Sequence, residues 1–586
     1  MCAAEDPSKG MVENTKDAGI LEETHAIAPD QFDQQYETSK YEIWSWYSYY
    51  IGNNGLTLFN FAPTASQNLV SQQAAKIGGP SNTTLRFAGS ERTINSIILL
   101  CNGISFAIQI VIFLILGSYA DFGTFRPNIL IVLTLIAWGI GFGWLGVHDP
   151  SDWQTGLGLY IVGLIAYQLC LTYWTAAFPG LARNTRELRE KAQQFEAGVI
   201  SRDDYDKEDS MKRNELSNTA FYVQSVAEIG ILAAIVGVMF GVDVNASTAK
   251  NNWGLSVLIA FATGIWVIVA IPWFFLEKRR PGQDPGMNIV LAGFWQLYRA
   301  IREIWQLKQS LFYLIGYFLL GDSLNTTVTV IATLQNEVVA YNTLQLTYLL
   351  IVGIAAQAVG IWCFWHVQKR YRLSTKTMFN AVAVGIIVLD GWGMIGIWTQ
   401  SFGFHHTWEG KLSLWKFGNE ASAKLTTCTV WLYQAFYGLF VCPWYSYSQI
   451  VSRVLREALE YGVVLMISEV TPRGKEFLFF SLFSIVGKTS SFIGPLVSSA
   501  IIDDTVSCSS HPLVGRLTGT AWTIELTQAQ GNNSSPFYFL FALSIVSFLF
   551  LLFFVDLKKS REEQAIFLER ERLAKAKKRG EDTDTV

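Results

Sequence analysis

Four ionisable side chains sit where charge is expensive. Glu228, Asp322, Asp390 and Lys488 each fall inside an apolar run long enough to cross a bilayer. A charge at the centre of a membrane helix costs about 2.5–3.5 kcal/mol on insertion scales, so each of the four calls for a reason. One reason is structural: an interhelical ion pair or hydrogen bond that fixes packing. The other is chemical. A carboxylate takes up a proton or holds a cationic group, and an ammonium holds a carboxylate. Three acids cannot all be neutralised pairwise by Lys488, which leaves at least one acid to titrate or to meet a transported cation.

Uncharged polar residues gather in four of the apolar runs. The first carries Asn53, Asn54 and Asn60; the fourth carries Tyr167, Gln168, Thr172 and Tyr173. The seventh has Asp322, Asn325 and Thr326 in GDSLNTT, and the tenth has Tyr433, Gln434 and Tyr437 in WLYQAFYG. A spacing of one, four, seven and ten fits two six-helix halves built from three-helix repeats, in which the first helix of each repeat lines a central cavity. Amides and hydroxyls suit the carboxylate of a zwitterion, and an acid or an aromatic face suits its ammonium. Interhelical glue is the alternative use of the same residues.

The elements that must position these groups are membrane helices. The chain has 586 residues, 51% of them apolar and 16% charged, with a mean hydropathy of +0.27. Soluble proteins carry about 25% charged residues. Here polar stretches punctuate apolar runs of about 20 residues, the length that spans a hydrocarbon core. Spans are expected near 44–66, 93–117, 127–147, 156–178, 218–241, 253–275, 309–333, 342–366, 377–399, 426–449, 475–502 and 535–556. The fold class is therefore all-α, a polytopic membrane protein of twelve transmembrane helices in two six-helix bundles. Neither a phosphate-binding loop, a metal cluster nor a nucleophile constellation with credible spacing occurs, so an enzyme or an ATP-driven pump is not expected. No cofactor is expected, a net charge of −4 suggests no nucleic-acid partner, and the chain is read as a monomer in membrane lipid.

Twelve spans put both termini on one side. With the termini cytosolic, 35 of the 44 Lys and Arg lie on that side, which agrees with the positive-inside rule. The acceptor sequons at Asn82, Asn245, Asn532 and Asn533 then fall in lumenal loops and are glycosylation candidates. The one at Asn325 lies inside a helix and is expected to be bare. The expected division is a disordered acidic tail (1–43), a first bundle (44–275) with a charged cytosolic loop (179–217), and a linker (276–308). A second bundle (309–556) and a basic tail (557–586) follow. In the linker, Phe294, Leu297, Ile301, Ile304 and Trp305 form a helical stripe, which reads as an interfacial amphipathic helix. The seven cysteines give neither a disulfide framework nor a metal site. No cleaved signal peptide is visible, so the first span is read as the targeting signal.

Two stretches resemble known families. The loop GSYADFGTFRP, with Gly117, Asp121 and Arg126, is similar to the Gly-x-x-x-Asp…Arg motif of the major facilitator superfamily. In that motif the Asp accepts from a neighbouring helix terminus and latches one conformation. The stretch MISEVTPRGKEFLFFSLFSIVGKTSSFIGPLV resembles the signature of the autophagy-related permeases, fungal vacuolar amino-acid exporters within that superfamily. Pro472, Glu476, Phe477, Lys488, Gly494 and Pro495 carry the match, with YEIWSWYSYYIGNNG and CPWYSYSQ beside it. The resemblance covers roughly residues 41–556. It implies a carrier in the vacuole membrane that exports neutral and branched-chain amino acids made by autophagic breakdown. One departure is IVSRVLREALEYGVVL (450–465), which reads as a translated intron or, alternatively, as an inserted cytosolic helix.

The mechanism expected is alternating access, driven by the substrate gradient or by protons leaving the lumen. Asp322 is the first candidate for the substrate ammonium or a proton, and Glu228 the second. Lys488 holds the substrate carboxylate or pairs with an acid. Rival readings are a permease for a sugar or drug, a non-transporting receptor or scaffold, and a lipid scramblase.

Overall fold

The computed structural model describes residues 31–80, 82–116, 125–280, 298, 301–338, 342–371, 375–398, 431–440, 486, 492–509 and 534–556, together with 559–560, 562–564, 566–567 and 570. Helices dominate. The first half contains α1 (Lys40–Gly52), a π-helical turn (Leu56–Phe61), α2 (Ala62–Gly78), α3 (Ile94–Leu116), α4 (Arg126–Gly143), α5 (Trp153–Thr175), α6 (Phe178–Arg183), α7 (Arg186–Glu196), α8 (Arg202–Val242) and α9 (Thr248–Leu276). The second half contains α10 (Lys308–Val338), α11 (Thr343–Tyr371), α12 (Thr375–Ile395), α13 (Ile493–Ser509) and α14 (Pro536–Phe554). Residues 431–440 are also helical.

Local chemistry sets several of these boundaries. Ser201 and Ser247 cap α8 and α9 by accepting the Asp204 and Lys250 N–H groups, each at 3.2 Å. Pro127 sits in the first turn of α4, where its missing N–H leaves no donor unpaired. Between α2 and α3 a hairpin pairs β1 (Thr84–Phe87) with β2 (Ser90–Thr93), antiparallel. Its two-residue turn places Ala88 at φ 51° and Gly89 at φ 85°, the left-handed pair that suits a tight hairpin.

Among the described residues, eight helices are long and apolar enough to cross a membrane. They match the expected spans two to eight and twelve. Shorter apolar helices at Asn380–Ile395 and Ile493–Asp503 fall on spans nine and eleven, and 431–440 falls within span ten.

Span one is corrected. Instead of one helix over 44–66, the chain runs from Lys40 to Gly78 with a break at Asn53–Gly55. Gly55 takes φ +92°, and the Asn54 side chain accepts the Leu56 N–H at 2.9 Å. The run continues beyond 66 because Ser66, Gln67 and Asn68 are buried against other helices, whereas hydropathy reads TASQNLVSQQ as a loop.

The described part of the tail departs from the expectation, while residues 1–30 lie outside the described residues. Residues 31–43 do not hang free but form a strap under the first half. Thr38 N–H donates to Asn184 O at 2.8 Å, Arg189 Nη1 to Asp33 O at 2.7 Å, and Gln31 Nε2 to Arg183 O at 2.8 Å. The charged loop 179–217 is helical: α6, α7 and the first turns of α8, which then continues as span five. At the other terminus, Glu563 accepts the Gln309 N–H at 2.9 Å and so rests on the start of α10.

Among the described residues, three apolar clusters form the core, the first mostly in the first half and the other two mostly in the second. One is centred on Trp46, Tyr49, Trp144, Trp266 and Trp273, and the others on Tyr313, Leu320 and Leu551 and on Val330, Leu389 and Phe537. The halves meet where α3 packs on α13 and where α8 packs on α11. The end carrying the strap and the end carrying the hairpin are opposite ends of these helices.

Candidate functional site

Asp322 lies in the middle of α10 and is almost fully buried. Its Oδ1 accepts the backbone N–H of Gly494 at 3.0 Å, in the first turn of α13. A carboxylate is favoured there, because the first turn of a helix offers unpaired N–H groups and the positive end of the helix dipole. The approach demands glycine: a Cβ at 494 would run into Thr326 of α10. The GP pair that carries the resemblance thus has a local reason, with Pro495 in the turn where an N–H is spare.

From that contact α13 runs to the hairpin end and crosses to the other half. The Ser499 and Ser96 hydroxyls are 2.8 Å apart, and both residues are buried. One turn nearer the loop, Asp503 accepts from Arg92 Nη1 at 2.7 Å, Ser96 Oγ at 2.7 Å and Thr93 N–H at 3.2 Å. Further hydrogen bonds between the halves gather at the same end. Gln67 Nε2 donates to Thr333 O at 3.0 Å, and Asn336 Nδ2 donates to Gln67 and Asn68, both at 3.0 Å. Thr343 Oγ1 donates to Asn251 at 2.7 Å, and Asn342 to Asn245 at 3.0 Å. Such a polar seam holds while dry and loosens once water competes for its donors.

The other acids are placed differently. Asp390 of α12 is fully buried; Thr327 of α10 donates to its Oδ1 at 2.8 Å and Ser544 of α14 to its Oδ2. With the Tyr433 hydroxyl donating to Leu389 O at 3.1 Å, Asp390 sits in a clamp joining spans seven, nine, ten and twelve. Glu228 on α8 accepts from Gln224, one turn earlier on the same helix, at 2.6 Å.

Spans one, four, seven and ten do meet in part. Phe59 and Tyr167 rings approach to 5.9 Å, and Gln335 Nε2 donates to Gln434 Oε1 at 2.6 Å. Gln168 and Asn325 are half-buried, while Tyr433 and Gln434 are buried. Asn54 serves the break in span one, and Asn53 is buried beside it with neither amide atom partnered.

Arg126, at the start of α4, lies 2.6 Å from Glu277 just past α9. Burial pushes the Glu277 carboxyl up, and the Arg126 guanidinium draws it back. Of the sequon asparagines, Asn82 turns its Nδ2 inward to Ala74 O at 2.9 Å, and Asn245 is exposed. Lys488, Gly117, Asp121, Asn532, Asn533, Pro472, Glu476, Phe477 and the 450–465 stretch lie outside the described residues.

Sequence reasoning missed Asp503, Arg92, Ser96 and Ser499, because all four stand at span ends where polar residues are ordinary. It also missed Glu42, fully buried against Arg280 at 2.8 Å. An acid in the first turn of an apolar helix was the available signal.

The profile of the family described as "Vacuole effluxer Atg22 like" matches residues 38–514. Autophagy-related protein 22 of Yarrowia lipolytica is 24% identical over 457 residues, 69% of this chain and 70% of that protein. Its counterpart in Kluyveromyces lactis is 26% identical over 292 residues, 48% and 52% of the two chains, so this alignment spans about half of that relative. Among solved structures, the xylose transporter XylE from E. coli in a partially occluded inward-open conformation aligns over 88% of this chain and 98% of its own, with a TM-score of 0.47 and 12% identity. With the profile running from the docked strap through span eleven, the chain belongs to the Atg22-like vacuole effluxer family and is a membrane transporter.

Proposed function

We propose that this protein carries amino acids, neutral and branched-chain ones foremost, from the vacuole lumen to the cytosol by alternating access between its two halves. In this reading the strap end is cytosolic and the hairpin end lumenal. The basic loops on the strap side and the sequons on the hairpin side support that orientation. The observation that carries the mechanism is the path of α13. It takes Asp322 at its first turn and the interhalf seam at its second and third turns.

The conformation then has its lumenal side closed. A substrate ammonium or a proton reaching Asp322 competes with the Gly494 N–H for the carboxylate. Once that contact yields, α13 is free to tilt and withdraws Ser499 and Asp503 from α3 and β2. The lumenal side opens by exchanging these hydrogen bonds for bonds to water. Asp390 stays in its hydroxyl clamp and keeps spans seven, nine, ten and twelve moving as one body.

The test is uptake of labelled L-leucine by proteoliposomes. Asp322→Asn keeps the side chain's size but not its charge, and is expected to lower uptake by about tenfold or more, equivalent to about 1.4 kcal/mol or more. Uptake equal to the parent's removes Asp322 from the mechanism. Absence of amino-acid flux in the parent, with flux of another solute, overturns the substrate assignment.

A further inference from the structure

Among the described residues, Asp390 has no cationic partner: neither lysine, arginine nor histidine reaches it. The acid is fully buried, and so are the three hydroxyl residues around it, Ser323 and Thr327 of α10 and Ser544 of α14. Titratable neighbours are turned elsewhere. Tyr433 faces Asp390, but its hydroxyl donates to Leu389 O at 3.1 Å. Asp322, one place before Ser323 on α10, is taken up by Gly494 of α13, and Tyr538 of α14 is exposed. A bare carboxylate sealed from water is strongly disfavoured, and such a group takes up a proton instead.

The hydrogen atoms lead to the same result. Three contacts run in a chain: Asp390 Oδ2 to Ser544 Oγ, Ser544 Oγ to Ser323 Oγ, and Ser323 Oγ to Leu540 O. A hydroxyl carries one proton, whereas a carbonyl and a carboxylate carry none. With Asp390 ionised, two protons must serve three links, and one pair of oxygens meets lone pair to lone pair. Thr327 cannot supply the third. Its single proton is already shared between Asp390 Oδ1 at 2.8 Å and Ser323 O at 2.9 Å. With Asp390 protonated the chain closes: Oδ2–H donates to Ser544, Ser544 to Ser323, and Ser323 to the carbonyl of Leu540. This reverses the direction that an ionised Asp390 imposes on the Ser544 contact, and Oδ1 still accepts from Thr327.

We propose that Asp390 is a proton-binding site: the neutral acid is the form held in the clamp, and its proton ties α12 through α14 to α10. Losing the proton removes one link and buries a bare charge, so the clamp loosens as the pH rises. The site serves this helical body whatever solute is carried, and therefore stands apart from the amino-acid reading above.

The experiment compares the purified full chain with Asp390→Asn and Ser544→Ala by infrared spectroscopy and thermal unfolding. Asp390→Asn keeps the layout of the neutral acid, with an N–H for Ser544 and an oxygen for Thr327. At neutral pH the parent is expected to show a protonated-carboxyl C=O band that Asp390→Asn lacks and that Ser544→Ala shifts. The folded parent then holds one proton more than its unfolded chain, so its stability falls as the pH rises. Its melting temperature is accordingly expected to drop relative to that of Asp390→Asn between mildly acidic and mildly alkaline buffer. Ser544→Ala leaves Asp390 in place, and its shifted band decides the matter if Asp390→Asn does not fold. A band that neither variant alters, or a melting difference that is the same at every pH, means an ionised carboxylate and overturns the proposal. Exchange of choline for sodium is expected to leave the melting temperatures unchanged. Sodium that stabilises the parent but not Asp390→Asn assigns the oxygen cage to a metal cation and overturns the proton site.

Discussion

Oxidising the Ser96→Cys/Ser499→Cys double variant is expected to abolish transport, and reduction to restore it. The two hydroxyl oxygens are 2.8 Å apart between α3 and α13, so the two positions face each other across the seam. A disulfide there joins the halves covalently at the seam that parts in the proposed alternating-access cycle. The effect is all or none, because a covalent link cannot be opened by substrate binding energy. Either single cysteine variant, treated with the same oxidant, controls for damage elsewhere. Uptake that survives complete cross-linking, judged by the shift on a non-reducing gel, means that α3 and α13 do not separate during the cycle.

A second large effect concerns stability. Arg280 donates to both oxygens of Glu42, at 2.8 and 3.0 Å, to Thr38 Oγ1 at 2.9 Å and to Tyr36 O at 3.2 Å. The Glu42 side chain is fully buried and that of Arg280 nearly so. Arg280→Ala leaves the carboxylate buried with the Lys278 N–H at 3.1 Å as its remaining donor from this segment. Removing one partner of a buried pair costs about 3–5 kcal/mol. Thermal unfolding in detergent is therefore expected at a clearly lower temperature for Arg280→Ala. The Glu42→Gln/Arg280→Met pair, which buries no lone charge, is expected to regain much of the difference. An unshifted melting curve for Arg280→Ala rules out the strap as a structural member.

The two results would separate roles that look alike in the sequence. Arg92–Asp503 and Arg280–Glu42 are both Arg–acid pairs at helix ends. The first joins the halves and has partly exposed side chains, 25% and 19%, so it can exchange with water as the seam opens. The second lies within one half and is shut away from solvent, which suits a joint that never opens.

What was legible in the sequence was whatever depends on local physics. Apolar runs of bilayer length specify helices, because no other open structure satisfies its backbone in hydrocarbon. The intramembrane acids stood out because insertion makes them costly, and the GP pair of span eleven stood out by resemblance. Span one was misjudged for a physical reason: hydropathy measures transfer from water, and Gln67 and Asn68 escape that cost by pairing with Asn336 across the halves. The strap failed likewise, since its donors and acceptors find partners about 150 residues away.

Composition and periodicity by themselves determined an all-helical membrane protein with a handful of expensive polar groups. They could not say which acid meets a helix terminus, which is held by hydroxyls and which keeps to its own helix. Asp322, Asp390 and Glu228 are equivalent as letters in apolar runs. They differ because α13 brings an N–H to the first, α10 and α14 bring hydroxyls to the second, and Gln224 attends the third. Hydrogen bonds act over about 3 Å, so the role of a buried charge is decided by which helix packs beside it, and only the tertiary structure makes that choice.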